Sequence, residues 1–261
     1  MGPAAMKSFI ALISLSVLGV VAASAAASKQ DPRCFEMRTY YASSNKLDEL
    51  QARFRDHTMQ LFEKHGMVNI GYWTPLENPD HKLIYILAYP DRLARETAWV
   101  EFGNDPAWKD VVKKTEAHGR LVRKVDSVLM EATDFSPRVQ PTNQSPARVF
   151  ELRTYTAAPD KLPNLLARFR EHTLTLFKKH GLTSFGYWTP LDIVQGSGNT
   201  LIYILAHPSQ DAAAEAFKNF RADPAWVAAK KASEDLAGGS LTVPDGVKSV
   251  FMAPTDYSPT K

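Results

Sequence analysis

One cysteine, Cys34, stands in a chain of 261 residues. A lone thiol cannot close an internal disulfide, so the core must hold without cross-links. Short signatures that would name a chemistry are missing too: there is no G-x-G-x-x-G, P-loop, G-x-S-x-G, H-E-x-x-H or C-x-x-C. No histidine–carboxylate spacing argues for a metal, and no cofactor is expected. Neither sign of charge dominates, with 31 Lys and Arg against 28 Asp and Glu. That balance leaves no nucleic-acid footprint. The longest apolar stretch, Phe9 to Ala23, falls short of the roughly 20 residues that span a bilayer, so stable membrane insertion is not expected.

That stretch reads instead as a secretory signal peptide over residues 1–27. Lys7 precedes it, and the small residues Ala22-Ala23-Ser24-Ala25-Ala26-Ala27 end it. The expected mature protein is secreted or periplasmic.

What remains says the same thing twice. Phe35-Glu36-Met37-Arg38-Thr39-Tyr40 returns as Phe150-Glu151-Leu152-Arg153-Thr154-Tyr155. Both copies continue K-L-x-x-L-x-A-R-F-R-x-H-T-x-x-L-F-x-K-H-G, from Lys46 to Gly66 and from Lys161 to Gly181. Each then gives G-Y-W-T-P-L, L-I-Y-I-L-A-x-P and F-x-x-D-P-A-W. A period of about 115 residues is a duplicated domain rather than a solenoid repeat. The expected limits are 34–135 and 148–256, joined by a Pro-rich linker at 136–147.

Within a copy, Phe35 to Tyr41 alternates as a half-buried strand. Lys46 to His65 has helical spacing, with Leu47, Leu50, Phe54, Leu61 and His65 on one stripe and Gly66 as the stop. Met67 to Thr74 is β-prone, and Leu83 to Ala88 is apolar throughout, as in a strand buried on both faces. Leu93 to Phe102 reads as helix, Asp105-Pro106 caps and starts another, and Val125 to Ala132 is a last strand. The order βαββαβ is the ferredoxin-like unit. Such a unit covers one sheet face with helices, so the dry second face predicts an α+β protein. Its tandem ferredoxin-like domains pack sheet to sheet as an intramolecular α/β barrel. Insertions in the second copy, near Gln195 to Asn199 and Gly238 to Gly246, should fall in loops.

The doubled T-Y…K-L…R-F-R-x-H-T…L-F-x-K-H-G…G-Y-W-T-P string, with L-I-Y-I-L-A and D-P-A-W, resembles the NIPSNAP family, part of the dimeric α/β-barrel superfamily. The resemblance covers nearly the whole mature chain and implies the barrel. It names no reaction: animal members are linked to mitochondria, vesicle traffic and mitophagy signalling, and bacterial members mostly lack an assigned activity.

Candidate site residues are the polar and aromatic groups kept in both copies. His57 and His172, in R-F-R-x-H-T, lie at the edge of the helical stripe, where an imidazole could serve as base or ligand contact or simply bond a carbonyl. His65 and His180, in the last turn before Gly, suit the helix dipole. Arg38, Tyr40, Arg153 and Tyr155 share a strand face with Glu36 and Glu151. If the apolar face meets the helices, that charged face points at the opposite half. There it makes either a Glu–Arg ladder or a polar cavity for an acidic small molecule. Tyr72, Trp73, Tyr187 and Trp188 end a strand beside a proline turn, as a pocket rim or as packing. Two classes of function follow: an exported small-molecule binding protein or cofactor-free enzyme, its reaction unnamed, with pockets between sheet and helices, or a non-enzymatic interaction or scaffold protein. A second copy in a homo-oligomer is also open.

Overall fold

The structure is a computed structural model that describes residues 1–2, 30–146 and 148–261. The expected signal peptide, beyond its first two residues, lies outside the described residues. The first half runs β1 (Cys34–Ala42), α1 (Leu47–Arg53), α2 (Met59–Lys64), β2 (Val68–Pro75), β3 (Lys82–Tyr89), α3 (Arg92–Asn104), α4 (Pro106–Thr115) and β4 (Val122–Ala132). The second repeats it as β5 (Val149–Ala157), α5 (Leu162–Arg168), α6 (Leu174–Lys179), β6 (Thr183–Pro190), β7 (Thr200–His207), α7 (Gln210–Ala222), α8 (Pro224–Ala237) and β8 (Thr242–Pro254).

The strands close into one antiparallel barrel in the order β1-β3-β2-β8-β5-β7-β6-β4. The halves therefore join edge to edge rather than as two separate stacked sheets, which removes every free sheet edge. The seams are short: Trp73 to Pro75 on Pro254 to Met252, and Met130 to Ala132 on Pro190 to Trp188. Within a half the ladders are long, as from Cys34↔Tyr89 to Tyr41↔Lys82. Closure thus relies on the side chains inside the barrel. Phe35, Ile84, Ile86 and Trp73 meet Phe150, Ile202, Ile204 and Trp188 in one buried cluster. Alternate residues of β3, namely Leu83, Tyr85, Leu87 and Tyr89, pack under the helices instead. The all-apolar strand is buried on both faces, as its composition requires.

Three sequence expectations change. First, the faces of β1 and β5 are reversed: Phe35 and Met37 point into the barrel, and the Glu36–Arg38–Tyr40 face lies under the helices. The barrel interior is the larger dry space and takes the apolar row. The Glu–Arg pairs are therefore internal to each half, and no ladder of them joins the halves. Second, Lys46 to His65 is not one regular helix. Phe54–Thr58 widens into a π turn, and Thr58 Oγ1 donates to the Arg53 carbonyl at 3.1 Å across it. The extra residue rotates the buried stripe from Leu61 to Phe62 and turns His57 to solvent. The same turn, Phe169–Thr173, exposes His172. Third, of the two readings left open for Trp73 and Trp188, packing holds and the pocket rim drops out: both are fully buried barrel-core residues. Each lies over a glycine: a Cβ at Gly71 would come 2.3 Å from the Trp73 ring, and one at Gly186 would come 2.4 Å from Trp188.

A further repeat holds the halves together. Thr133-Asp134-Phe135-Ser136-Pro137 and Thr255-Asp256-Tyr257-Ser258-Pro259 each follow the last strand of one half and dock on the other. Asp134 accepts from Arg170 at 2.7 and 2.8 Å, and Asp256 from Arg55 at 2.7 Å twice. Ser136 Oγ accepts from the Tyr187 N–H at 3.0 Å, and Ser258 Oγ from the Tyr72 N–H at 2.9 Å. The loop insertion near Gln195 has its own task. Its side chain accepts from Leu129 N–H and donates to the Ser127 carbonyl, both at 2.9 Å, covering β4 where the seam has ended.

Candidate functional site

Between sheet and helices, each half buries a glutamate beside an arginine, and the two halves treat it differently. In the first half Glu36 accepts six hydrogen bonds: from Arg38 at 2.6 Å, Arg95 at 2.6 and 3.1 Å, Trp99 at 2.8 Å, Tyr89 at 2.9 Å and Ser127 at 2.6 Å. Burial alone would raise its carboxyl, but the bonds from Arg95 and Ser127 and the charge of Arg38 outweigh it and hold the group at about 2. The carboxylate itself is fully satisfied, while Arg38 Nε beside it has no hydrogen-bond partner.

The second half replaces three of those donors. Ala213 stands for Arg95, Phe217 for Trp99 and His207 for Tyr89. Glu151 keeps Arg153 and Ser249, each at 2.5 Å, and gains His207 at 3.2 Å. Burial again opposes ionisation, and His207, Arg153 and Ser249 together still hold the carboxyl low.

The thinner network adjoins a pocket of about 260 Å³ between the sheet and α5 to α8. Arg153, Tyr155 and Arg168 reach it from below; Phe177, Phe220 and Trp226 form apolar walls; Arg221, Lys230 and Glu234 stand on the helix side. A shallower depression of about 430 Å³ shares Arg221, Trp226, Lys230 and Glu234 and continues it outward. The helices opposite the two arginines also differ in length. Glu116 caps the ten-residue α4 and meets Arg53 at 2.9 Å. Its counterpart Glu234 sits within the fourteen-residue α8 and stands 3.7 Å from Arg168. Burial pushes the Arg168 guanidinium down, with Glu234 opposing.

Of the residues expected from sequence, Arg153 and Tyr155 line this pocket, with Arg153 Nη2 donating to Tyr155 Oη at 3.2 Å. Arg38 and Tyr40 hold the equivalent positions in the first half, where Arg38 stacks 4.2 Å over Trp99. Tyr72 and Tyr187 are buried under the helices, bonded to Asn69 and, at 2.6 Å, to Ser184. Trp73 and Trp188 belong to the barrel core, and His57 and His172 are exposed outside the pocket. His65 and His180, expected to suit the dipole of their own helix, are seen in a different structural role. Each bonds at 2.8 Å to the aspartate, Asp105 or Asp223, that caps the next helix. Lys64 and Lys179 join them at 2.7 Å, and hydrogen bonds from these Lys and His side chains hold both carboxyls well below the usual range.

Sequence reading missed the pocket role of Arg168, Trp226 and Lys230, although D-P-A-W marks Trp226 as a helix-to-core anchor and its ring does pack 4.4 Å from Phe220. A signal existed for the first two: R-F-R and D-P-A-W recur in both copies, and only the π turn and α8 show that these residues face one pocket. Lys230 carried no repeat signal, because Val112 occupies its place in the first copy.

A larger cavity, about 870 Å³, lies between Gln30 to Arg33, Phe135 to Arg138, α6 and the start of β6. Its Arg33 is already bonded to Asp31 at 2.6 Å and to the Val139 carbonyl. It contains none of the paired Arg and Tyr residues, so the chemistry points to the smaller pocket. Among the described residues, no group of three or more His, Cys, Asp or Glu could hold a metal ion, and no helix is long and apolar enough to cross a membrane.

No curated protein matches the chain. Among solved structures, an anthrone oxidase-like protein is similar in fold, with 10% identity, a TM-score of 0.56, and coverage of 86% of this chain and 92% of that one. A proposed monooxygenase from Lactobacillus acidophilus gives 10% identity and a TM-score of 0.52 over 86% and 94%. A NIPSNAP family protein from Agrobacterium tumefaciens is 24% identical over 46% of this chain and 98% of its own, with a TM-score of 0.38. The NIPSNAP family pattern itself matches residues 35–137 and again 150–259, and the chain therefore belongs to the NIPSNAP family.

Proposed function

We propose that this protein binds a small molecule in the pocket between sheet and helices of its second half. The carrying observation is the asymmetry between halves. The same scaffold is drawn together around Glu36 and Glu116 in one copy, and opens onto Arg153 and Arg168 in the other. Core packing needs no such opening, and this cleft sets aromatic walls beside several converging polar and charged groups, the elements from which ligand sites are built. Native mass spectrometry of protein from its own source, compared with the denatured chain, tests this. A stoichiometric mass difference lost on denaturation is expected, and a mass equal to the bare chain would oppose the reading.

A second reading, a protein-interaction surface, is favoured by one feature. Leu93 and Val100 on α3 are 71% and 63% exposed, and Ile193 and Val194 are 87% and 94% exposed. Arg92 and Asp192, bonded at 2.8 Å, bring the two segments together. We also propose export, with residues 1–27 removed and the mature protein secreted or periplasmic. N-terminal sequencing beginning near Ala26 or Ser28 would support it, and an intact N-terminus would oppose it.

A further inference from the structure

Arg168 is 6% exposed, yet its Nε and Nη1 have no hydrogen-bond partner. Its twin Arg53 shares the unpartnered Nε, but there Nη1 donates to Glu116 at 2.9 Å. In the second half Glu234 stands back at 3.7 Å, beyond a hydrogen bond. An arginine cannot escape such a position by losing its proton, since the guanidinium stays charged at any working pH. A buried, under-bonded cation is costly unless an anion meets it.

The helix side has changed in the same sense. Arg221 and Lys230, both exposed and both lining the pocket, replace Gly103 and Val112 of the first copy. The second half has therefore gained two cations at the mouth, while its one acid, Glu234, stays in the lining as an ion pair with Arg168 at 3.7 Å, too long for a hydrogen bond. Arg153 adds little to that excess, because Glu151 already neutralises it at 2.5 Å. One wall is aromatic, with Phe177, Phe220 and Trp226, and Trp226 is also 5.3 Å from the Arg168 guanidinium; Thr173, Ser240 and Thr242 add hydroxyls elsewhere in the lining. A volume near 260 Å³ exceeds the roughly 150 Å³ that accommodates benzene in an engineered cavity.

We infer that the second-half pocket takes a small organic carboxylate, with its anionic end toward Arg168 and Lys230 and its apolar body against Phe177, Phe220 and Trp226. The inference rests on the small-molecule reading above and adds the chemical class. An aromatic wall beside an arginine whose Nε and Nη1 lack hydrogen-bond partners suits a singly charged anion with a hydrophobic body better than a fully hydrated phosphate.

Calorimetric titration of the full chain with benzoate, benzyl alcohol, hexanoate and inorganic phosphate provides the test. At least one of the two carboxylates should bind, with benzyl alcohol at least about tenfold weaker than benzoate where benzoate is the binder. Arg168→Met should abolish carboxylate binding, and Arg53→Met should leave it unchanged. Should Arg168→Met fail to fold by circular dichroism, Lys230→Gln decides, with a several-fold loss of affinity and an unchanged melting temperature expected. Equal binding of benzyl alcohol and benzoate, or binding of phosphate alone, would overturn the carboxylate assignment while leaving a small-molecule site in place. Failure of both carboxylates to bind the wild type also overturns it. The mass-spectrometric comparison answers separately whether any ligand is carried.

Discussion

Glu36→Gln keeps the shape of the side chain and removes its charge, at a carboxylate that accepts from Arg38, Arg95, Trp99, Tyr89 and Ser127. The amide offers one acceptor oxygen and sets its own N–H groups against donors. Arg38 and Arg95, with side chains 14% and 21% exposed, then face each other without an anion between them. Depression of the carboxyl from 4.5 to about 2 corresponds to roughly 3 kcal/mol at neutral pH, on the order expected for breaking a buried ion pair. The direction in pH follows from the sign of the shift. A group whose folded pKa is depressed contributes fully above its unfolded value near 4.5, and the contribution is lost as pH falls through about 2. Urea unfolding followed by tryptophan fluorescence should therefore show wild type ahead of Glu36→Gln by about 3 kcal/mol at pH 7 and on the order of 1 kcal/mol at pH 3. An equal gap at both pH values would refute the charge argument, and a gap below about 1 kcal/mol at pH 7 would refute the energetic weight given to the network.

Gly71→Ala should destabilise by about 1–3 kcal/mol through overpacking, because the new methyl would meet the buried Trp73 ring at 2.3 Å; a melting temperature matching wild type would contradict this. Ser136→Ala and Ser258→Ala each remove the acceptor of a buried tyrosine N–H. Each should cost about 1–3 kcal/mol, readable in urea midpoints, and an unaffected midpoint would mean that the docked segments do not hold the halves. His57→Ala and His172→Ala should change stability by less than about 0.5 kcal/mol, since both side chains are exposed. A loss above about 2 kcal/mol would show a structural hydrogen bond there.

Much of the architecture was legible because it depends on local chemistry and on repetition. The βαββαβ order follows from period-2 and period-3.6 patterns, from Gly66 and Gly181 at positive φ ending a helix, and from Asp105-Pro106 and Asp223-Pro224 starting one. The strands Leu83 to Ala88 and Leu201 to Ala206 could be read as doubly buried because no polar side chain interrupts them. The doubled T-D-F/Y-S-P segment was equally visible in the sequence, but its meaning was not. Each copy docks on the half that it does not follow, and no local pattern encodes that exchange.

By itself the sequence determined the duplication, the order of elements in each half and the two dry faces of each sheet. Those properties belong to side chains and their near neighbours along the chain. Tertiary structure decided which face of β1 and β5 enters the barrel, because alternation distinguishes two faces without saying what each one meets. It also decided the fate of the candidate histidines, since one extra residue in a π turn rotates the stripe that regular spacing assumes. And it decided that the two copies differ in use. Arg53 and Arg168 are the same residue in the same motif, yet Glu116 bonds the first at 2.9 Å while Glu234 stands 3.7 Å from the second, which lines a pocket; packing across the half sets that difference, and no local pattern encodes it.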